Sequence, residues 1–295
     1  MIEAKLERML DRVERLADRI EAALPGVLVE PDWSESVAFR YRRRAGRQPV
    51  LEPVRRLAPM RFDDLRAIDD QKVRMQTNIE RFVCGSPANN VLLTGARGTG
   101  KSSLVKASLQ EYSGRGLRLI EVDKDDLVDL PDIAELVAGR PERFIVFCDD
   151  LSFDEGERGY KVLKSMLDGT VASGGENVLI VATSNRRHLL PEYMKENLSY
   201  THTDDGEVHP GEVVEEKISL SERFGLWISF YPFSQEDYLR IVDQWLGALG
   251  LPDAELTSAH APALVWALER GSRSGRVAQQ FARHHAAMLG EGGPA

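Results

Sequence analysis

The sequence predicts an α/β fold, a mostly parallel sheet followed by a small helical unit, on three observations. Five short apolar runs, NVLLT (90–94), LRLIEV (117–122), RFIVFC (143–148), NVLIVAT (177–183) and LWISF (226–230), alternate with stretches of helical character. Their near-continuous hydrophobicity is that of strands buried on both faces, as in a parallel sheet covered by two helical layers. After Tyr231 and Pro232 only helical patterns follow.

Taken in chain order, Ile2, Leu6, Met9, Val13, Leu16 and Ile20 form a heptad-like stripe closed by Pro25 and Gly26. It predicts a helix with one apolar face, folded back on the chain's own core or offered to a partner. Residues 26–60 carry several prolines and the run FRYRRRAGR, where Arg40, Arg42, Arg43, Arg44 and Arg47 surround Phe39 and Tyr41. This reads as an extended arm. Basic residues interleaved with aromatics suit nucleic acid, or they pair with the chain's own carboxylates.

The five strands span the next unit, and an acidic stretch at about 199–217 reads as an exposed insertion. Ser234, followed by Glu236 and Asp237, is a suitable helix N-cap. Helical segments are expected near 234–249, 260–270 and 274–289. The expected organisation is therefore an N-terminal helix and arginine-rich arm (1–58), an α/β nucleotide-binding domain (59–232) and a helical lid (233–295).

Composition narrows the function. A formal net charge of -9 excludes a protein that coats nucleic acid or anionic membrane by its overall field. Cys84 and Cys148 stand far apart without metal-ligand spacing, so neither a disulfide framework nor a zinc site is expected. No apolar run approaches the roughly 20 residues of a membrane span. The expected location is the cytoplasm.

The chemistry lies in two local patterns. Gly95-Ala96-Arg97-Gly98-Thr99-Gly100-Lys101-Ser102 matches GxxxxGK[ST] directly after a predicted strand and before a helical run. The glycines let successive backbone N–H groups face phosphates, and the positive end of the following helix adds to the field. Lys101 would reach the β and γ phosphates of ATP, Ser102 would ligand Mg²⁺, and Ser103 would contact the α-phosphate region. The run Phe144-Ile-Val-Phe-Cys-Asp149-Asp150 is a buried strand delivering two carboxylates. Asp149 would hold the Mg²⁺ through water, and Asp150 would orient or deprotonate the attacking water.

With these motifs in place the chain resembles the AAA+ ATPases. The resemblance implies that Asn185, at the end of the fourth strand, is the sensor that positions water and γ-phosphate. It implies that Arg223, in SLSERFGL, is an arginine finger acting on a neighbouring subunit's nucleotide, so that the active form is a homo-oligomer. It implies that Arg276 contacts nucleotide from the lid, and that DDLRAIDDQKVRMQTNIERF (63–82) supplies adenine contacts through Leu65 and Ile68.

The strings NNVLLTGARGTGKSSLVK, DDLSFDEGERGYKVLKSMLDG, ATSNRRHL, EEKISLSERFGL and RSGRVAQQF are similar to a bacterial AAA+ family known only as a domain of unknown function, over about residues 35–290. One departure is visible: most AAA+ motors carry Glu where this chain has Asp150. The DD pair is similar to the initiator and helicase-loader branch, which uses ATP as an assembly switch. The resemblance therefore implies an oligomeric ATPase that couples nucleotide state to remodelling or assembly of a partner. The alternative is a nucleotide-gated module that recruits DNA or protein with little hydrolysis.

Overall fold

The computed structural model of the protein describes Arg12 and residues 28–43, 48–153, 157–169, 176–186, 189, 201–202, 208–209 and 220–291. The N-terminal stripe, Arg44, Arg47 and most of the acidic insertion lie outside the described residues.

The α/β class holds, with a difference in strand count: the main sheet has seven strands where five were expected. The two additional ones are β1 (Ala38–Arg42) and β2 (Val50–Pro53), an antiparallel pair drawn from the segment read as an extended arm. The rest are β3 (Val91–Gly95), β4 (Leu117–Glu121), β5 (Arg143–Cys148), β6 (Val178–Ser184) and β9 (Leu226–Phe230). They are mutually parallel, and the order is β2-β1-β4-β5-β6-β3-β9. Within the insertion, β7 (Thr201–His202) and β8 (Val208–His209) pair as a separate antiparallel ribbon.

The helices of the α/β unit are α1 (Asp69–Val83), α2 (Lys101–Tyr112), α3 (Leu130–Val137) and α4 (Arg158–Leu167). Successive strand residues face opposite sides of the sheet. Val91 and Leu93 accordingly enter one apolar cluster with Leu104, Val105, Ile145 and Val181, and Leu92 enters the other with Ile120, Ile133, Phe144, Leu163 and Ile180. Cys148 lies in the second cluster, where burial pushes its thiol pKa up to about 12. It is a protonated core residue at neutral pH, as its place at the end of an apolar run suggested.

The first two strands owe their place to period-two alternation. Phe39 and Tyr41 are fully buried, and Trp33 packs edge-on against Phe39 and Phe144. The intervening arginines point to the chain's own acids: Arg40 pairs with Glu121 at 2.9 Å, Arg42 with Asp123 at 2.6 Å and Arg43 with Asp129 at 2.7 Å. Buried Asp129 also accepts the Tyr41 hydroxyl at 2.9 Å. Of the two uses open to the arginine run, these three residues take the second.

The helical unit contains α5 (Gln235–Ala248), α6 (Asp253–Glu269) and α7 (Gly275–Glu291). Ser234 caps α5 by accepting the Asp237 N–H at 3.0 Å. The middle helix starts seven residues earlier than expected, directly after Pro252, and carries Pro262 in its interior. His284 and His285 stack on Trp266 and Phe281. No helix among the described residues is long and apolar enough to cross a membrane.

Candidate functional site

The chain leaves β3 and returns at β4, three positions away in the sheet, so the turn after β3 opens beside the carboxyl ends of β5 and β6. Such switch points are where open α/β sheets hold ligands. A cleft of about 550 Å³ lies there, lined among others by Leu65, Ile68, Arg97, Gly98, Lys101, Ser102, Asp149, Asp150, Asn185 and Arg276. That volume suits a nucleotide.

Sterics fix the loop before α2. Gly95 has φ 133°, and a Cβ built there would stand 1.9 Å from the Phe230 carbonyl oxygen. At Gly98, φ 74°, a Cβ would meet the Ser274 side chain at 2.9 Å. Both positions need glycine for the space as well as for the backbone angle. The loop delivers Lys101 into the cleft wall, nearly buried, where Nζ donates to the Gly95 and Ala96 carbonyls at 2.7 Å each and to Asn185 Oδ1 at 3.0 Å. Desolvation holds its pKa below the ordinary lysine value, and the carboxylates of Asp149 and Asp150 oppose that shift.

The two acids at the end of β5 are placed differently. Asp149 Oδ1 accepts the Ser102 hydroxyl and the Thr183 hydroxyl, each at 2.6 Å. Asp150 turns away with φ 52°, in the left-handed region, and its N–H donates to Thr183 Oγ1 at 2.9 Å. Its carboxylate accepts from Asn185 Nδ2 and, at 3.3 Å, from Arg97 Nη2. Thr183, buried on β6, thus separates the two carboxylates by binding the side chain of one and the backbone of the other.

Hard oxygen donors on adjacent elements are what Mg²⁺ takes, usually one or two carboxylates completed by substrate phosphates. The Ser102 hydroxyl and Asp149 carboxylate fit that pattern. No group of three or more His, Cys, Asp or Glu side chains suited to a metal occurs among the described residues, so the phosphates would have to complete the set.

The opposite wall is apolar. Leu65 and Ile68, the two residues expected to face a base, line it, together with Met60, Phe233, Ile241 and Trp245, which sequence reasoning missed. Phe233 follows the last strand, and Ile241 and Trp245 lie four residues apart on one face of α5. That spacing was visible in the sequence, but its target was not. Arg276 enters from the start of α7, whose Gly275 N–H donates to the Gly98 carbonyl at 2.8 Å. Arg223 is the one expected catalytic residue that does not line the cleft, and it forms an ion pair with Asp168.

A family model described as "Protein of unknown function (DUF815)" matches residues 34–289. No curated protein matches. Among solved structures, the fold is similar to the Thermotoga maritima RuvB Holliday junction branch migration motor (16% identity, TM-score 0.51, 79% of this chain and 66% of that one) and to a single-substitution variant of the same motor (16%, TM-score 0.53, same coverage). It is similar also to the Aeropyrum pernix ORC1 protein in complex with DNA, at 15% identity and TM-score 0.52, over 77% of this chain and 61% of that one. The chain spans just under two thirds of the length of these structures. At such identities the likeness establishes the fold, which is the AAA+ P-loop fold with a helical C-terminal region.

Proposed function

We propose, on the premise that this chain belongs to the DUF815 family, that it binds ATP with Mg²⁺ in the cleft between sheet and lid and hydrolyses it as part of a homo-oligomer. The observation that carries this reading is the 2.6 Å contact between Ser102 and Asp149, residues 47 positions apart, beside a lysine buried at the same loop. Lys101 and the loop N–H groups bind the phosphates. Ser102 and Asp149 hold the metal, which neutralises developing charge on the phosphates when bound. Asp150 orients the attacking water, and Asn185 holds Asp150. The apolar wall from Met60 to Trp245 takes the base, with Leu65 and Ile68 at its centre.

Arg223 stands outside its own cleft, as a residue serving a neighbour's nucleotide must. Fingers of this kind are worth about 10³ to 10⁵ in rate. Phosphate release measured for the wild type, Lys101→Ala, Asp150→Ala and Arg223→Ala tests the reading. Each substitution should abolish or greatly reduce turnover, and unchanged turnover in all three sinks the proposal. Mixing Arg223→Ala with Asp150→Ala should restore part of the activity, because a mixed interface has one intact composite site.

One observation favours a second reading, a nucleotide-gated recruiting module with little hydrolysis. Asp150 is shorter than the usual Glu and is held by Asn185 and Arg97, away from free rotation. Nucleotide-dependent assembly with negligible turnover would select this reading. RuvB is a Holliday junction branch migration motor and the ORC1 structure is a complex with DNA, but Arg40, Arg42 and Arg43 are engaged by carboxylates and do not favour a phosphate-binding arm here. If the arm did bind DNA, replacing these residues would flatten the dependence of binding on salt.

A further inference from the structure

We infer that Arg97, by exchanging its ion pair with Asp150 for a pair with the γ-phosphate, is the residue through which this site distinguishes ATP from ADP. The inference rests on the cleft being an ATP site and adds how the third phosphate is sensed and what its arrival releases.

Four side chains form a continuous chain along the phosphate side of the cleft. Lys101 donates to Asn185 Oδ1, Asn185 donates to one oxygen of Asp150, and Arg97 donates to the other at 3.3 Å. The formal charges of Lys101, Arg97, Asp149 and Asp150 sum to zero. The γ-phosphate brings about one more net negative charge than ADP beside two carboxylates, and the Mg²⁺ accompanies both nucleotides, so the additional charge draws the nearest mobile protein cation. Lys101 is nearly buried and committed to two loop carbonyls as well as Asn185. Arg97 is differently placed. Its side chain is 75% exposed, its partner Asp150 is 57% exposed, and among the described residues its guanidinium hydrogen bond is to Asp150 alone.

An exposed pair of that kind shifts an equilibrium by a factor of about five or less. A doubly charged phosphate therefore outcompetes it readily. Arg97 is also carried by the phosphate-binding loop itself, one residue before the left-handed turn at Gly98, so the exchange needs a side-chain swing and no loop rearrangement. ADP offers no γ-oxygen, and the pair persists. ATP takes the guanidinium, and Asp150 is left with Asn185 alone and an oxygen free for water. A single side chain thus links recognition of ATP to release of the carboxylate.

The test is a displacement titration of the full chain with Mg²⁺ present, in which bound fluorescent ADP is competed by ADP or by the β,γ-imido analogue of ATP. For Arg97→Gln the preference for the ATP analogue should fall about fivefold while ADP affinity stays within about twofold, the range expected for loss of one exposed charge contact. Arg97→Lys should keep part of the preference. Asp150→Asn should raise the preference by a larger factor in the wild-type background than in Arg97→Gln, since only the former has a guanidinium to set free. Unchanged preference in Arg97→Gln, or equal factors for Asp150→Asn in both backgrounds, overturns the inference while leaving the ATP site standing. A wild type that binds neither nucleotide overturns both.

Discussion

Asp150 explains its own identity through its backbone. A residue at φ 52° pays a steric cost that Asp and Asn bear more easily than most side chains. The shorter acid at this position is therefore what the left-handed turn after β5 accommodates, and its carboxylate is held by Asn185 and Arg97. Asp150→Glu should cost up to about 1 kcal/mol in stability and give no gain in phosphate release, whereas Asp150→Asn should keep the melting temperature and lose turnover. Faster turnover in Asp150→Glu would contradict this account. Gly95 is a second position decided by one contact. A methyl group 1.9 Å from a backbone carbonyl must displace β9, so Gly95→Ala should destabilise the fold by about 3 kcal/mol or more, read from a denaturant midpoint.

At the scale of elements, the start of α7 is seated on the loop before α2. The Gly275 N–H donates to Gly98, and the Ser274 side chain fills the space a Cβ at Gly98 would need. Ser274 and Gly275 therefore join the loop to the helix that carries Arg276. Gly98→Ala should weaken nucleotide binding by pushing this helix off the loop, with a smaller loss of stability than Gly95→Ala because a side chain yields more easily than backbone. Nucleotide affinity and melting temperature of the two variants check the order. The β1–β2 hairpin is tied by the Tyr41–Asp129–Arg43 cluster. Asp129→Ala would leave the buried Tyr41 hydroxyl without its partner and should cost about 2 kcal/mol in chemical denaturation.

For the whole molecule, the cleft gathers residues from the sheet, the segment before α1 and the lid, yet it lacks the arginine at 223. If that residue serves a second copy, specific activity should rise with protein concentration before reaching a plateau, and dilution should abolish it while nucleotide remains bound. Activity proportional to concentration from the lowest dilution measured would remove the oligomer from the mechanism.

Much of the cleft lining was legible because part of it is local. Eight contiguous residues between an apolar strand and a helix match a phosphate-loop pattern, two acids end a buried strand, and the structure brings both to one cleft. Near-continuous hydrophobicity marked the five expected strands for the same reason, since it is written along each strand, although β9 lies at the sheet edge and is only partly buried. The alternation that makes Ala38–Arg42 a strand was also present, but arginine-aromatic interleaving is equally the pattern of a nucleic-acid arm. Only the positions of Glu121, Asp123 and Asp129 on neighbouring elements show that Arg40, Arg42 and Arg43 pair within the chain. Tertiary structure alone decided that Arg97 meets Asp150 across 53 residues, that Phe233, Ile241 and Trp245 complete the apolar wall, and that α7 rests on Gly98. These contacts depend on strand order and side-chain reach between distant elements, which no periodicity within one element specifies.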